Sequence, residues 1–447
     1  MFDKILRRIA IFLAVAGFPA LSPPPAAARA ANDRPADCRI GAYRLADGSI
    51  VDVAASEGTS LRWRRLDGTT GLLSGPGDSF RSTRGWTGRP DGITVSFTPC
   101  ADRDIRFGGV AGLRIDFDTT ETRFRSGAVT LAGRLVLPRG GGPVPIVVLI
   151  HGSEHSSARE AYALQRQLPA MGIGAFVYDK RGTGGSSGAY TQNYLLLAQD
   201  AVAAAREARR LAGPRAGAVG YQAGSQGGWV APLAARIEPV DFVIVCFGLA
   251  VSPADEEREA IAYGITRHGF GPDAVAKAND FAEASITMLR TNFQDGHTQL
   301  AAARQRYAAE PWVRYVRGDV THVLLEKTPE ELRRIGPPLF AGLALDYDPL
   351  PVLRNLDVPQ LWILGEEDID APSAETARRL DALAAAGRPI RVAIFPHTEH
   401  GIYEFEIGAD DERLSTRQPE GYLRMMRDYI LTRHLTGDYG ARLSTMR

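Results

Sequence analysis

Ser225 stands in the stretch AVGYQAGSQGGWVAPLAAR (218–236), where an apolar run ends in a turn of very small residues and then resumes as an apolar helix. A serine at a sharp strand-to-helix turn has a strained backbone and a hydroxyl that projects from the carboxyl edge of a sheet, which is how a nucleophile is presented. Only small neighbours fit such a turn, and Ala223, Gly224, Gly227 and Gly228 meet that need. The local string is A-G-S-Q-G rather than G-x-S-x-G, and the extra methyl of Ala223 falls where strand and helix pass closest, so a slight splay must absorb it. A hydroxyl is a weak nucleophile until a neighbour takes its proton. Imidazole suits that task near neutral pH, with a carboxylate on its other nitrogen to orient it. Eight histidines are available to supply the base.

The elements that would position such a group change in kind along the chain. From Ile40 to about Phe117, short β-rich runs alternate with the turn pairs Asp47-Gly48, Asp67-Gly68, Gly75-Pro76, Asp91-Gly92 and Gly108-Gly109, which predicts antiparallel hairpins in a small β domain. Trp63 and Trp86 read there as core or hairpin packing. After Arg123, strands alternate with longer amphipathic segments, the pattern of an α/β fold with helices on both faces of a sheet. Eight strands are expected, over Arg123–Ser126, Val129–Leu137, Ile146–Ile150, Ala175–Tyr178, Ala216–Tyr221, Phe242–Phe247, Leu361–Leu364 and Arg391–Phe395. Helices are expected over Arg159–Ala170, Leu195–Leu211 and Gln226–Ile237, the second stopped by Gly213-Pro214.

At 447 residues the chain exceeds what one core usually organises. Apolar residues make up 45% and charged residues 23%, with Lys+Arg and Asp+Glu both at 52, so nothing in the charge points to nucleic acid or a polybasic membrane patch. Residues 1–30 read as a signal peptide: Lys4, Arg7 and Arg8, an apolar stretch from Ile9 to Phe18, and an A-x-A site ending at Ala30. The protein is therefore expected to be periplasmic or extracellular, without stable membrane insertion, the apolar stretch being too short for a comfortable span. An oxidising compartment permits disulfides. Cys38 and Cys100 bracket the small β domain and are expected to pair, while Cys246 lies in an apolar run and reads as a buried thiol. No cysteine or histidine spacing suits a metal, and no cofactor is expected. Gly182–Gly188 lacks the spacing of a phosphate-binding loop.

Six segments taken together carry a resemblance: IVVLIHGSE (146–154), YDKRGTGGSSG (178–188), VGYQAGSQGGW (219–229), YDP (347–349), LWILGEED (361–368) and FPHTEHG (395–401). From about Arg123 onward the chain resembles an α/β-hydrolase, similar to the serine hydrolases of the dienelactone hydrolase-like and serine-aminopeptidase-like branch. The resemblance implies an eight-stranded, mostly parallel sheet carrying a helical cap, preceded by the small antiparallel β domain. Together with the readings above, it divides the chain into a signal peptide (1–30), a β domain (31–120) and a hydrolase domain (121–447) with the cap inserted at about 252–354. It also implies Ser225 as nucleophile, His400 as base in the pair His400-Gly401, and Asp368 of Gly365-Glu366-Glu367-Asp368 as the acid, with Asp370 and Glu367 as alternatives. His397 falls on the spacer position, and His151 on a structural position beside the oxyanion loop. The order serine, aspartate, histidine is that of this fold.

The oxyanion of an acyl-transfer intermediate needs preorganised donors. The resemblance places them at the backbone N–H groups of Gln226 and Ser153, with Glu154 as an alternative to Ser153. Glu154 near the mouth would disfavour anionic substrates. Amphipathic stretches over Ala254–His268 and Asp273–Tyr307 fit a helical lid, with Trp312, Tyr315, Leu339 and Phe340 as candidates to line an acyl pocket against their alternative role in the lid core. The expected substrate is a small-molecule carboxylic ester. The alternatives are an aminopeptidase, with Asp255, Glu256, Glu257 or Glu259 on the substrate amine, and a hydrolase-fold binding protein without catalysis.

Overall fold

A computed structural model describes residues 37–444 except 57, 100 and 101. The expected signal peptide and Cys100 lie outside the described residues. Within residues 41–114 the turn pairs do more than make hairpins. The strands β1 (Gly41–Leu45), β2 (Ile50–Ala55), β3 (Leu61–Arg65), β4 (Thr70–Ser74), β5 (Ser79–Arg84), β6 (Pro90–Phe97), β7 (Asp104–Phe107) and β8 (Val110–Arg114) run antiparallel in sequence order, and β8 returns to β1 to close a barrel. Closure removes the two open edges that a row of hairpins would leave. Tyr43, Val53, Trp63, Leu73, Phe80 and Phe107 are among the residues that fill it. Trp63 is buried there, edge-on to Phe107 at 5.0 Å, with its indole N–H donated to Ser82 Oγ at 2.7 Å. Trp86 stands outside the barrel and packs edge-on against Tyr403 at 4.8 Å.

The second sheet comprises β9 (Phe117–Ser126), β10 (Val129–Pro138), β11 (Val144–Ile150), β12 (Gly174–Tyr178), β13 (Ala216–Gly224), β14 (Val243–Cys246), β15 (Gln360–Gly365), β16 (Ile390–Phe395) and, after a smaller sheet described below, an edge strand at Arg442–Leu443. It has nine strands rather than the expected eight, because Arg442–Leu443 adds antiparallel to β16. Two residues with no apolar run of their own gave no periodicity to read. From the far edge the order is β9, β10, β12, β11, β13, β14, β15, β16 and then that edge strand, with the six strands from β12 to β16 parallel to one another. The first strand begins at Phe117 rather than Arg123, pairing along its whole length with β10 as a long antiparallel ribbon. Its alternating arginines and threonines face water, so only Phe124 and Ser126 carried the burial signal.

Helices cover both faces. On one lie α3 (Tyr194–Ala212), α4 (Gly227–Ile237) and α11 (Ser373–Ala385), and on the other α1 (Ala158–Ala161), α2 (Leu164–Ala170) and α12 (Gly421–Thr432). The expected helix over Arg159–Ala170 is therefore two helices, split at Tyr162 and Ala163. The sheet's central strands are buried on both sides, each fully covered Val, Leu or Ile contributing about 1.5–3 kcal/mol.

Between β14 and β15 the chain forms the cap: α5 (Pro253–Thr266), α6 (Pro272–Arg290), α7 (His297–Arg306), α8 (Thr321–Leu325), α9 (Pro329–Leu339) and α10 (Leu350–Arg354). The expected helix Asp273–Tyr307 is broken after Arg290. Asn292, Phe293 and Gly296 all adopt positive φ there, and Phe293 is buried against Phe340 at 5.8 Å. Trp312 is buried in the cap's own core with Phe281 and Tyr307, so it packs the lid. Tyr315 stacks on His268 at 3.7 Å. After β16, three short strands unread in the sequence, β17 (Thr398–Glu399), β18 (Tyr403–Ile407) and β19 (Arg413–Arg417), form a separate small sheet, after which the edge strand at Arg442–Leu443 is β20.

Candidate active site

β13 ends at Gly224 and α4 begins at Gly227, so Ser225 lies in the turn between them with φ at 52°. That left-handed conformation is costly for a residue with a side chain and persists only where its surroundings hold it. The hold is visible: Ser225 N donates to Cys246 O at 3.1 Å, and Gly228 N donates to Ser225 O at 2.7 Å. No larger residue fits at Gly224 or Gly228, where an added Cβ would lie 2.6 Å from the Phe247 ring and 2.9 Å from Gly248.

Asp368 follows β15 and is 1% exposed. Its Oδ1 accepts the backbone N–H groups of Asp370 (3.0 Å) and Ala371 (2.8 Å), which leaves Oδ2 for His400 Nδ1 at 2.9 Å. The structure thus brings Asp368 and His400 together. The alternative acids go elsewhere, since Glu367 Oε1 lies 3.1 Å from His397 Nδ1, and Asp370 enters through its backbone. His397 is 86% exposed and away from Asp368. No hydrogen bond joins Ser225 Oγ to His400 among the described residues, but Phe247 links their surroundings: its ring is edge-on to His400 at 4.9 Å and in contact with Gly224. Burial opposes the imidazolium of His400. Asp368, through charge and hydrogen bond, and then Asp370 and Asp319 outweigh that and push its pKa up to about 9.

The loop after β11 is fastened by buried polar groups. Lys180 Nζ donates to Gly152 O at 2.6 Å, and Tyr190 OH donates to Ser153 O at 2.7 Å. In a trans peptide the C=O and the following N–H point opposite ways, so a Gly152 carbonyl aimed at Lys180 turns the Ser153 N–H away from it. A Cβ at Gly152 would be 3.6 Å from that of Ser225, so this loop abuts the serine. Neither Ser153 N nor Gln226 N donates to any group among the described residues. Glu154 is turned inward: Tyr162 OH donates to it, and His151 Nδ1 lies 3.4 Å away. Burial alone would raise its pKa, but His151, Lys180 and Tyr162 hold the carboxyl well below the usual range. Glu154 therefore serves the loop, and the expectation that it screens anionic substrates loses its physical basis. Burial in turn lowers Lys180 to about 8, against the pull of Glu154.

Of the four acidic residues opening the cap, two are structural. Asp255 pairs with Arg258 at 3.0 Å, and buried Glu257 accepts the N–H groups of Val320 (2.8 Å) and Thr321 (2.9 Å) at the start of α8. Glu259 is pushed up to about 7 by burial and by Glu375. Glu256 differs: burial and then the carboxylates of Asp319, Glu257, Asp368 and Asp370 push it well above the usual range. Asp319, which the sequence did not single out, is raised to about 7 by burial, Glu257, Asp370 and Asp368 against the pull of His400. It precedes a five-residue helix with no periodicity to mark it. A cleft of about 450 Å³ opens between α5 and the β18–β19 hairpin, lined by Tyr263, His268, Glu367, His397 and Phe405 among others; Ser225, Asp368 and His400 do not line it. Gly182–Gly188 forms the scaffold turn, with Asp179 accepting from Ser157 Oγ (2.7 Å) and Gly185 N (2.9 Å), and Arg181 paired with Asp200 at 2.7 Å.

No family model matches the chain, and no curated protein does. Among solved structures, an acylaminoacyl peptidase of Pyrococcus horikoshii aligns over 87% of this chain with 15% identity and a TM-score of 0.43, this chain spanning 57% of its length. A thermophilic esterase of Thermogutta terrifontis aligns over 71% of this chain and 100% of its own, with 19% identity and a TM-score of 0.39. A proline iminopeptidase of Mycobacterium smegmatis aligns over 63% of this chain and 91% of its own, with 18% identity and a TM-score of 0.40. Likenesses this distant say nothing of substrate, and the fold rests on the chain's own topology. A serine at the turn after β13, an aspartate after β15 and a histidine after β16, in that chain order at the carboxyl edge of a largely parallel sheet, make this an α/β-hydrolase fold.

Proposed function

We propose that the chain is a serine hydrolase that passes an acyl group from its substrate to Ser225 and then to water. The observation that carries this reading is the 2.9 Å bond between His400 Nδ1 and buried Asp368, taken together with a serine held at φ 52° in a strand-to-helix turn. With Asp368 accepting the Nδ1 proton, Nε2 of His400 is left as the base. It takes the Ser225 proton as Oγ attacks the substrate carbonyl, and the N–H groups of Gln226 and Ser153 receive the oxyanion. His400 then protonates the leaving group. Water repeats the sequence on the acyl-enzyme, releasing the acid and restoring Ser225. No cofactor or metal enters these steps.

Carboxylic esters of small or medium acyl groups are the preferred substrates in this reading, since an alcohol leaves more readily than an amine. A second reading, an aminopeptidase-type amide hydrolase, draws support from Asp319, which interacts with His400, and from Glu256, which interacts with Asp319 and Asp368: a substrate ammonium among these buried carboxyl groups would favour their ionised forms. A kinetic panel of short and medium p-nitrophenyl esters beside aminoacyl anilides separates them. Ester turnover above every anilide is the expected result. Anilide kcat/KM above every ester, lost in Glu256→Gln, would replace the first reading with the second. We place the protein outside the cytoplasm after cleavage near Ala30, a site that N-terminal sequencing of the exported protein would reveal.

A further inference from the structure

His400 is the first residue of a three-residue turn, His400-Gly401-Ile402, closed by the pair Glu399 and Tyr403 of β17 and β18. The turn is strained. Gly401 and Ile402 have φ of 79° and 57°, and a β-branched residue such as buried Ile402 is an outlier in that region. Such a turn keeps its shape only if something outside it supplies the constraint.

The constraint comes from β19 and, behind it, the barrel. Gln418 Nε2 donates to Gly401 O at 2.9 Å, and Ser415 Oγ donates to Glu399. Thr416 Oγ1 donates to Glu404 O at 3.0 Å. β19 is in turn stitched to two barrel turns. At the β3–β4 turn, Thr69 bridges Arg417, Gln418 N donates to Gly68 O at 3.0 Å, and the Arg417 guanidinium donates to Asp67 O at 2.6 Å. At the β5–β6 turn, Trp86 N donates to Ser415 O at 2.8 Å, its ring meets Tyr403, and the Arg62 guanidinium lies over that ring at 3.8 Å. The backbones touch directly. A Cβ at Gly68 would lie 2.1 Å from Gln418 O, and one at Gly85 would lie 2.4 Å from Ser415 O. Arg84 adds an ion pair to Glu406 of β18 at 2.9 Å.

We infer that the N-terminal barrel is a working part of the active site: by clamping β19 it fixes the turn that carries His400, with Gln418 and Trp86 as positioning residues. The barrel's cyclic strand pairing suits this, since closure leaves no unpaired edge strand among β1 to β8. This inference rests on His400 being the base in the proposed reaction.

The experiment uses the full chain after removal of residues 1–30, as wild type, Gln418→Met, Trp86→Phe, Trp86→Ala and Arg81→Ala. Arg81 is an exposed barrel residue with no ion pair or side-chain hydrogen bond among the described residues. Kinetics on the best p-nitrophenyl ester, thermal melts, and an NMR titration of the labelled His400 ring are recorded for each. Gln418→Met and Trp86→Ala are expected to lose about 10- to 100-fold in kcat with KM within about twofold, the scale of a misplaced catalytic group. Their His400 titration should move down from about 9 as the ring loosens from Asp368, while Arg81→Ala stays as wild type. Should Trp86→Ala not fold, Trp86→Phe and Gln418→Met decide. Wild-type kcat and an unshifted His400 titration in Gln418→Met would overturn the inference, as would a change in KM alone. If the wild type hydrolyses nothing in the panel, it is the serine-hydrolase reading that falls, and the His400 titration still decides whether Gln418 and the barrel hold the ring.

Discussion

Replacing Asp368 by Asn keeps the shape of the side chain and reverses what His400 can do. Oδ1 of Asp368 is committed to two backbone donors, the N–H groups of Asp370 and Ala371 at 3.0 and 2.8 Å. The Asn carbonyl must take that place, because an NH2 group there would face two donors. The NH2 is then left at the position of Oδ2, 2.9 Å from His400 Nδ1. A donor at that point forces Nδ1 to accept, so the ring proton moves to Nε2, where the nitrogen can no longer take the Ser225 proton. Loss of the correct tautomer with geometry intact costs about 10⁴-fold in kcat. The assay is ester hydrolysis under saturating substrate, with circular dichroism and a thermal melt to show that the isosteric change leaves the fold intact. Asp370→Asn, which keeps the backbone N–H bonded to Asp368 and removes only a carboxylate that acts on His400 through charge, is the control and should stay within about tenfold of wild type. If Asp368→Asn retained kcat within tenfold of wild type while Asp370→Asn lost 10³-fold or more, the choice of acid would be refuted.

Other outcomes follow from the same geometry. With His400 raised to about 9, the acid limb of kcat/KM should lie on the alkaline side, and Asp319→Asn, which removes one carboxylate facing the ring, should move it to lower pH; a limb at the ordinary histidine value in both proteins would exclude that carboxylate's influence. Because the folded pKa is raised, the His400–Asp368 attraction contributes stability fully below about pH 6.5 and loses it as pH rises through about 9, which melts taken across that window would register. Lys180→Met removes the donor to Gly152 O and should cost about 10- to 100-fold in kcat by freeing the Ser153 peptide, with the chain's labelling by an active-site serine probe slowed in parallel; unchanged kcat would show that the loop needs no such fastening. Cys38 and Cys100 are expected to be bridged, contributing about 2–4 kcal/mol, so that intact-mass thiol counting without reductant finds one alkylatable cysteine under denaturing conditions, and three would rule the bridge out.

What the sequence showed of this molecule, and what it hid, divides along physical lines. The elbow at Ser225 was legible because sterics leave few choices at a strand-to-helix crossing, and the small residues around it are that constraint written out. Asp368 and His400 were found through the motif order, and the structure places them in contact. The short apolar runs of β11, β13 and β15 marked buried central strands. β9 was cut short and β20 unseen because edge strands share their faces with water and lose the apolar signal. Barrel closure was hidden because β1 and β8 pair across about seventy residues, and no local pattern encodes that return. Glu257 and Glu256 are neighbours of one chemical type, yet one caps α8 and the other faces a carboxylate cluster; only the helix's rotation against its partner separates them. Asp319 had no motif at all.

The most direct measurement of the central claim is reaction of the protein, after removal of residues 1–30, with a fluorophosphonate, followed by peptide mass mapping. An activated serine is the one requirement of that reagent, and the natural substrate is irrelevant to it. The account predicts stoichiometric modification at Ser225, abolished in Ser225→Ala and slowed severely in His400→Ala while His397→Ala reacts like wild type. An unmodified Ser225, a label on another residue, or His397→Ala failing where His400→Ala succeeds would contradict it.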